Sequence, residues 1–116
     1  MDAFQTHDLM DRQRRSGRAY LEFLRVPSMS LGLYTLPAGG DDPQQPHAED
    51  EVYYVVSGRA MIRVDDEDRP VEPGSIVFVA ARAEHRFHAI AEDLTALVFF
   101  SPAEGSHGTS SASRAA

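Results

Sequence analysis

The chain has 116 residues, no Cys and, counting along the sequence, no Lys; its 11 basic residues are all Arg and, against 18 acidic ones, leave a net charge of -7. These absences exclude disulfides, thiolate nucleophiles, iron–sulfur clusters and sulfur-bound zinc, together with Schiff-base chemistry and a phosphate-loop lysine. The acidic balance argues against a nucleic-acid partner, and no apolar run approaches the roughly 20 residues that span a bilayer.

Residues 1–19 read as an N-terminal helical segment on or near the main body, with a short helix from about Thr6 to Arg15 stopped near Gly17. Arg12, Arg14, Arg15 and Arg18 read as its solvated face. Met1-Asp2-Ala3-Phe4 lacks the basic flank and apolar stretch of a secretory signal, so the expected location is cytoplasmic.

From Tyr20 the pattern changes to short β-type runs between Gly, Pro and Asp punctuation. Candidate strands are Tyr20–Val26, Ser30–Leu36, Glu51–Ser57, Arg59–Val64, Ser75–Val79, His85–Ile90 and Thr95–Phe100. Many short strands at nearly even spacing predict an all-β sandwich or barrel over residues 20–101. Asp65-Asp66-Glu67-Asp68 lacks the spaced oxygen ligands and central Gly of a calcium loop, and reads as a solvated hairpin tip. Residues 102–116 contain no Leu, Ile, Val or aromatic residue and are expected to form a disordered tail.

Gln45, His47, Glu49 and Glu51 all stand at odd positions, and an extended chain would line them along one face, continued by Tyr53 and Val55. Buried, such a row needs a polar or metallic partner; in an exposed loop it simply faces water, and spacing alone leaves both readings open. A second apolar run, Ile76–Val79, is followed by His85, which shares its parity with Phe87 and Ala89. Joined to His47 and Glu51, His85 completes two imidazoles and a carboxylate, a set that leaves positions open on a first-row metal.

These residues carry a family resemblance. The chain resembles the cupin superfamily, whose first motif is G-x5-H-x-H-x3,4-E-x6-G and whose second is G-x5-P-x-G-x2-H-x3-N. Glu51, six residues and Gly58 match the end of the first, and His47 falls at its second His, while Gln45 replaces the first. In the second, Gly74 and His85 are in register, Ala80 and Arg82 replace the Pro and Gly, and Ala89 replaces the Asn. The resemblance covers roughly residues 30–100.

It implies a double-stranded β-helix, a jelly-roll barrel, with Ser57-Gly58-Arg59 as a tight turn and a pocket at the mouth. It also implies a divalent first-row metal (iron, manganese, nickel or zinc) on His47, Glu51 and His85, with Gln45 as a weaker fourth donor. Glu49 is then an extra ligand or a general base, and Tyr53 a second candidate for proton transfer. Strand parity nominates Tyr34, Arg63, Phe87 and Phe99 to line the pocket, with Arg63 as a carboxylate clamp if it faces inward. The implied function is an enzyme of dioxygenase, isomerase or lyase type acting on a small oxygenated substrate. A non-catalytic small-molecule binder and a metal-free cupin are the alternatives. The expected partner is a small molecule rather than nucleic acid or membrane, with a homodimer through a barrel edge left open.

Overall fold

The computed structural model describes residues 1–43 and 46–106. Helix α1 runs Thr6–Ser16 and ends at Gly17, whose N–H bonds the Arg14 carbonyl. Six strands follow: β1 Tyr20–Val26, β2 Met29–Leu36, β3 Asp50–Val64, β4 Glu67–Val71, β5 Ile76–Val79 and β6 His85–Ser101. Every strand pairing is antiparallel, in the order β1-β2-β6-β3-β4, with β5 added to β3.

The two long strands organise the fold. The first half of β3 lies between the end of β6 and β5, and its second half between the start of β6 and β4. Side chains on the inner face form the core, among them Leu36, Val55, Ile62, Leu94, Val98 and Phe100. Helix α1 packs on β1 and β2, burying Leu9 and Gln13; Gln13 Nε2 donates to Thr35 Oγ1 at 2.5 Å, while Arg12, Arg14, Arg15 and Arg18 remain exposed. No helix among the described residues is long and apolar enough to cross a membrane.

Several sequence expectations need correction. Ser57-Gly58-Arg59 is not a tight turn: β3 runs through it as an irregularity in the pairing with β6. Gly58 has φ +96°, and a Cβ there would sit 2.2 Å from the Asp93 carbonyl oxygen, so only glycine fits. The irregularity moves the buried set from odd positions (Glu51, Tyr53, Val55) to even ones (Ala60, Ile62). The same thing happens in β6, which unites two expected strands and absorbs Glu92 and Asp93. His85 and Phe87 face inward, Ala89 takes φ +48°, and the inward set becomes Ile90, Leu94, Ala96, Val98 and Phe100.

Strand β4 was hidden by its charges and by Pro70; the hairpin tip is only Asp65-Asp66, since Val64 already pairs with Glu67. Pro70 is tolerated because β4 is an edge strand. At the other end, the chain beyond residue 101 does not loosen at once. Residues 102–106 fold back on the barrel with Ala103 and Glu104 buried, which corrects the expected start of the tail. The remainder of that expectation, residues 107–116, lies outside the described residues.

Candidate metal centre

Three segments deliver the central side chains. The connection between β2 and β3 carries His47 and Glu49, the first residues of β3 carry Glu51, and the first residue of β6 carries His85. Glu51 and His85 pair with different parts of the sheet, Glu51 with Val79 and Phe100, and His85 with Val64. Rolling of the sheet brings them together. His47, Glu51 and His85 each offer a ligand atom, and these lie within 4.8 Å of one another. All three side chains are only 1% exposed.

The connection carrying His47 is tied down by Asp42. This buried carboxylate accepts the Tyr34 hydroxyl on Oδ1 and the Phe87 N–H on Oδ2, the latter at 2.8 Å. The His47 carbonyl accepts the Arg82 N–H at 2.6 Å, and its ring stands edge-on to Phe100, 4.9 Å between centroids. Arg82 holds φ +67° to make that contact, at the motif position where Gly is usual.

The protonation geometry of His85 is explicit. Its Nδ1 lies 3.0 Å from the Ala83 carbonyl oxygen, which can only accept, so Nδ1 carries the hydrogen. In the neutral ring Nε2 is then a bare lone pair, and it sits 3.0 Å from Glu51 Oε1. Two acceptors facing each other in a buried site require a cation between them, either a proton or a metal ion. The short distance is therefore an ion-pair contact only in the protonated ring, and in the neutral ring neither atom has a hydrogen-bond donor among the described residues. Burial pulls the His85 pKa down, but the Glu51 hydrogen bond and charge, with the Ala83 carbonyl, outweigh it and hold the pKa above the ordinary value.

Tyr53 is fully buried, edge-on to Phe87 at 4.8 Å. Burial raises its phenol pKa, and the Glu51 and Asp42 charges raise it further, so the hydroxyl stays protonated beside Glu51 and serves as a donor. Glu49 is buried, with Oε2 accepting the Gly105 N–H at 3.2 Å and Oε1 without a hydrogen-bond partner among the described residues. It is not among the three clustered ligands. Gln45 lies outside the described residues.

Of the expected lining residues, Tyr34 and Phe87 are buried in the core around the site. Phe99 is not: the shift within β6 turns it outward and puts Phe100 against His47 instead. Arg63 likewise lies on the face opposite the buried Ile62, 43% exposed and 2.7 Å from Asp68, so it is no inward clamp. It does line a surface cleft of about 350 Å³ with Pro46, Asp65, Glu84, His85 and Arg86.

Sequence reasoning missed Asp42, Phe100, Tyr20 and Glu104. The ring of Tyr20 fills the space over Gly32, where a Cβ would meet it at 2.2 Å, and its buried hydroxyl has no hydrogen-bond partner among the described residues. Burial, then the charges of Glu104, Glu22 and Glu51, raise its pKa far above the usual phenol range. The signal for Tyr20 lay in the pairing of an aromatic strand with a glycine-bearing one; Glu104 carried none, being set in a stretch of small polar residues.

Comparison with known proteins agrees with this architecture. The family pattern described as "Cupin domain" matches residues 32–101. An uncharacterized protein of Streptomyces coelicolor, SCO3923, is 53% identical over 104 residues, covering 90% of this chain and 99% of the relative. Among solved structures, TT1209 from Thermus thermophilus superposes with a TM-score of 0.69 at 25% identity, covering 89% of this chain and 99% of the other. DMSP lyase DddQ from Ruegeria pomeroyi DSS-3 has a TM-score of 0.62 at 25% identity; the match covers 66% of this chain but only 39% of the lyase. KdgF from Halomonas sp. shares the fold, with a TM-score of 0.65 at 21% identity over 72% of this chain and 76% of the other.

Proposed function

The chain belongs to the cupin domain family, with its strands in the antiparallel jelly-roll arrangement, and from that premise we propose that it is a metal-dependent enzyme acting on a small oxygenated substrate. The observation that carries this reading is the contact of two acceptors, His85 Nε2 and Glu51 Oε1, at 3.0 Å in a buried site beside a second imidazole. His47, Glu51 and His85 are the ligands, a nitrogen and oxygen set suited to iron, manganese, nickel or zinc. A divalent ion on these ligands supplies Lewis-acid polarisation of a carbonyl or enol oxygen.

The chain's own groups do the rest. Tyr53, its hydroxyl held protonated beside Glu51, supports the orientation of that carboxylate. Glu49 has one oxygen held by the Gly105 N–H and the other unengaged among the described residues, which suits it to take a proton from bound substrate. Phe87, Tyr34 and Phe100 exclude water from the centre. The cleft beside His85 is small and lined by both signs of charge, Arg63 and Arg86 with Asp65 and Glu84, which favours a small polar substrate. Of the reaction types open to such a site, lyase chemistry draws support from the likeness to DMSP lyase DddQ.

A second reading rests on the same contact: a proton between His85 and Glu51 satisfies both, giving a metal-free barrel that binds a small molecule. Metal-free protein reloaded separately with iron, manganese, nickel and zinc, then assayed against small keto acids, phenols and sugar acids, separates the two. Turnover that appears with one metal and disappears with chelator is the expected result, and oxygen uptake would mark the reaction as dioxygenation. Ligand binding unaffected by any metal, with no turnover, would overturn the enzyme reading.

A further inference from the structure

The turn that follows β6 is fastened at each residue from Ala103 to Ser106. Ala103 N–H bonds the Pro27 carbonyl at 3.4 Å, Glu104 N–H bonds Ser30 Oγ at 2.9 Å, and Arg25 Nη2 donates to the Glu104 carbonyl at 2.7 Å. Gly105 N–H then bonds Glu49 at 3.2 Å, and Ser106 N–H closes the turn on the Ala103 carbonyl at 3.0 Å. These bonds hold the Glu104 side chain inside the barrel, 4% exposed, with Oε2 3.5 Å from His47 Nδ1. A buried carboxylate is costly unless it is paired, and His47 is the cationic or donor partner at that distance. Glu104 lies beyond the 32–101 family match, outside the motifs that carry the barrel's usual ligands.

An imidazole presents its lone pair on whichever nitrogen lacks the hydrogen, and an acceptor beside one nitrogen decides which that is. His85 already shows the device, its Nδ1–H given to the Ala83 carbonyl. We propose that Glu104 is the corresponding positioning residue for His47: its carboxylate holds the hydrogen on Nδ1 and leaves Nε2 as the lone pair offered to a divalent cation. The proposal rests on reading His47, Glu51 and His85 as a metal site. Glu104 is not a ligand itself, since it stands outside the cluster whose ligand atoms lie within 4.8 Å.

Two readouts test this on the full chain. In metal-free protein, nitrogen NMR of the histidine side chains at a pH where the ring is neutral is expected to show His47 as the Nδ1–H tautomer. Glu104→Leu, which removes the acceptor, is expected to shift it toward Nε2–H, with Glu104→Gln in between because its amide oxygen still accepts. With Co²⁺ as probe, competition against a chromophoric chelator is expected to show affinity about 10- to 100-fold weaker in Glu104→Leu. His47 found as Nε2–H in the parent overturns the proposal, and this result needs no variant to fold. A tautomer unchanged in Glu104→Leu, with affinity within about twofold of the parent rather than down by the order of magnitude a lost orienting partner costs, overturns it equally. A parent that binds no Co²⁺ would instead refute the metal reading and with it the cation in the proposal, while the tautomer measurement still decides whether Glu104 orients His47.

Discussion

If a metal ion takes the place of the proton at His85, as the proposed function requires, the site is sensitive to pH in a defined direction. The His85 pKa is raised in the fold, so the stability its protonated ring draws from Glu51 is fully present below the unfolded value of about 6.5 and is lost as pH rises through the folded value. A metal ion needs the same nitrogen without its proton. Affinity for a divalent cation is therefore expected to rise with pH across that window, with close to one proton released per ion in its lower part. Calorimetric titrations in two buffers of different ionisation enthalpy measure that proton; binding with no proton release at any pH would contradict the ring's assignment. Asp42 offers a separate test. Replacing it with Ala strands the Tyr34 hydroxyl and the Phe87 N–H, and is expected to cost about 2–4 kcal/mol in urea denaturation, against under about 0.5 kcal/mol if the carboxylate does not fasten the His47 connection.

At the scale of elements, β3 and β6 each change their buried parity midway, and both changes rest on a backbone with positive φ. Gly58→Ala would drive a Cβ into the Asp93 carbonyl and is expected to destabilise the fold by at least about 2 kcal/mol, read from thermal unfolding. Ala89 is the reverse case. It holds φ +48° at the motif position where Asn is usual, and Asn tolerates that conformation better than Ala. Ala89→Asn is expected to stabilise by about 0.5–1 kcal/mol; a loss of stability would mean that Ala89 is not the strained position. These two irregularities also mark where the sequence stopped being legible. Alternation placed Glu51, Tyr53, His85 and Phe87 on inner faces, because each lies before the shift in its strand. It failed for Phe99, which lies after one, and parity cannot be carried across a residue that breaks the repeat. Arg63 lies after the other shift, on the outer face. The helix and most strands were legible because their apolar periods and Gly or Pro boundaries are local. Strand β4 and the turn bearing Glu104 were not, since pairing across the sheet, rather than composition, gives them structure.

At the scale of the whole molecule, an all-Arg, Cys-free chain leaves imidazole and carboxylate as its metal-binding groups. The fold collects His47, Glu51, His85, Glu49 and Glu104 in its buried interior, and the comparisons identify the barrel that does so as a cupin. Three carboxylates and two imidazoles buried in so small a barrel are hard to reconcile with a purely structural core, where apolar side chains would pack at lower cost. The function of the molecule therefore turns on what occupies that interior. Elemental analysis of the protein purified without added metal, beside a His47→Ala, His85→Ala double variant shown to be folded, measures it directly. Close to one first-row metal ion per chain is expected in the parent, with that metal lost in the variant; equal content in both, or none in either, would contradict the metal centre.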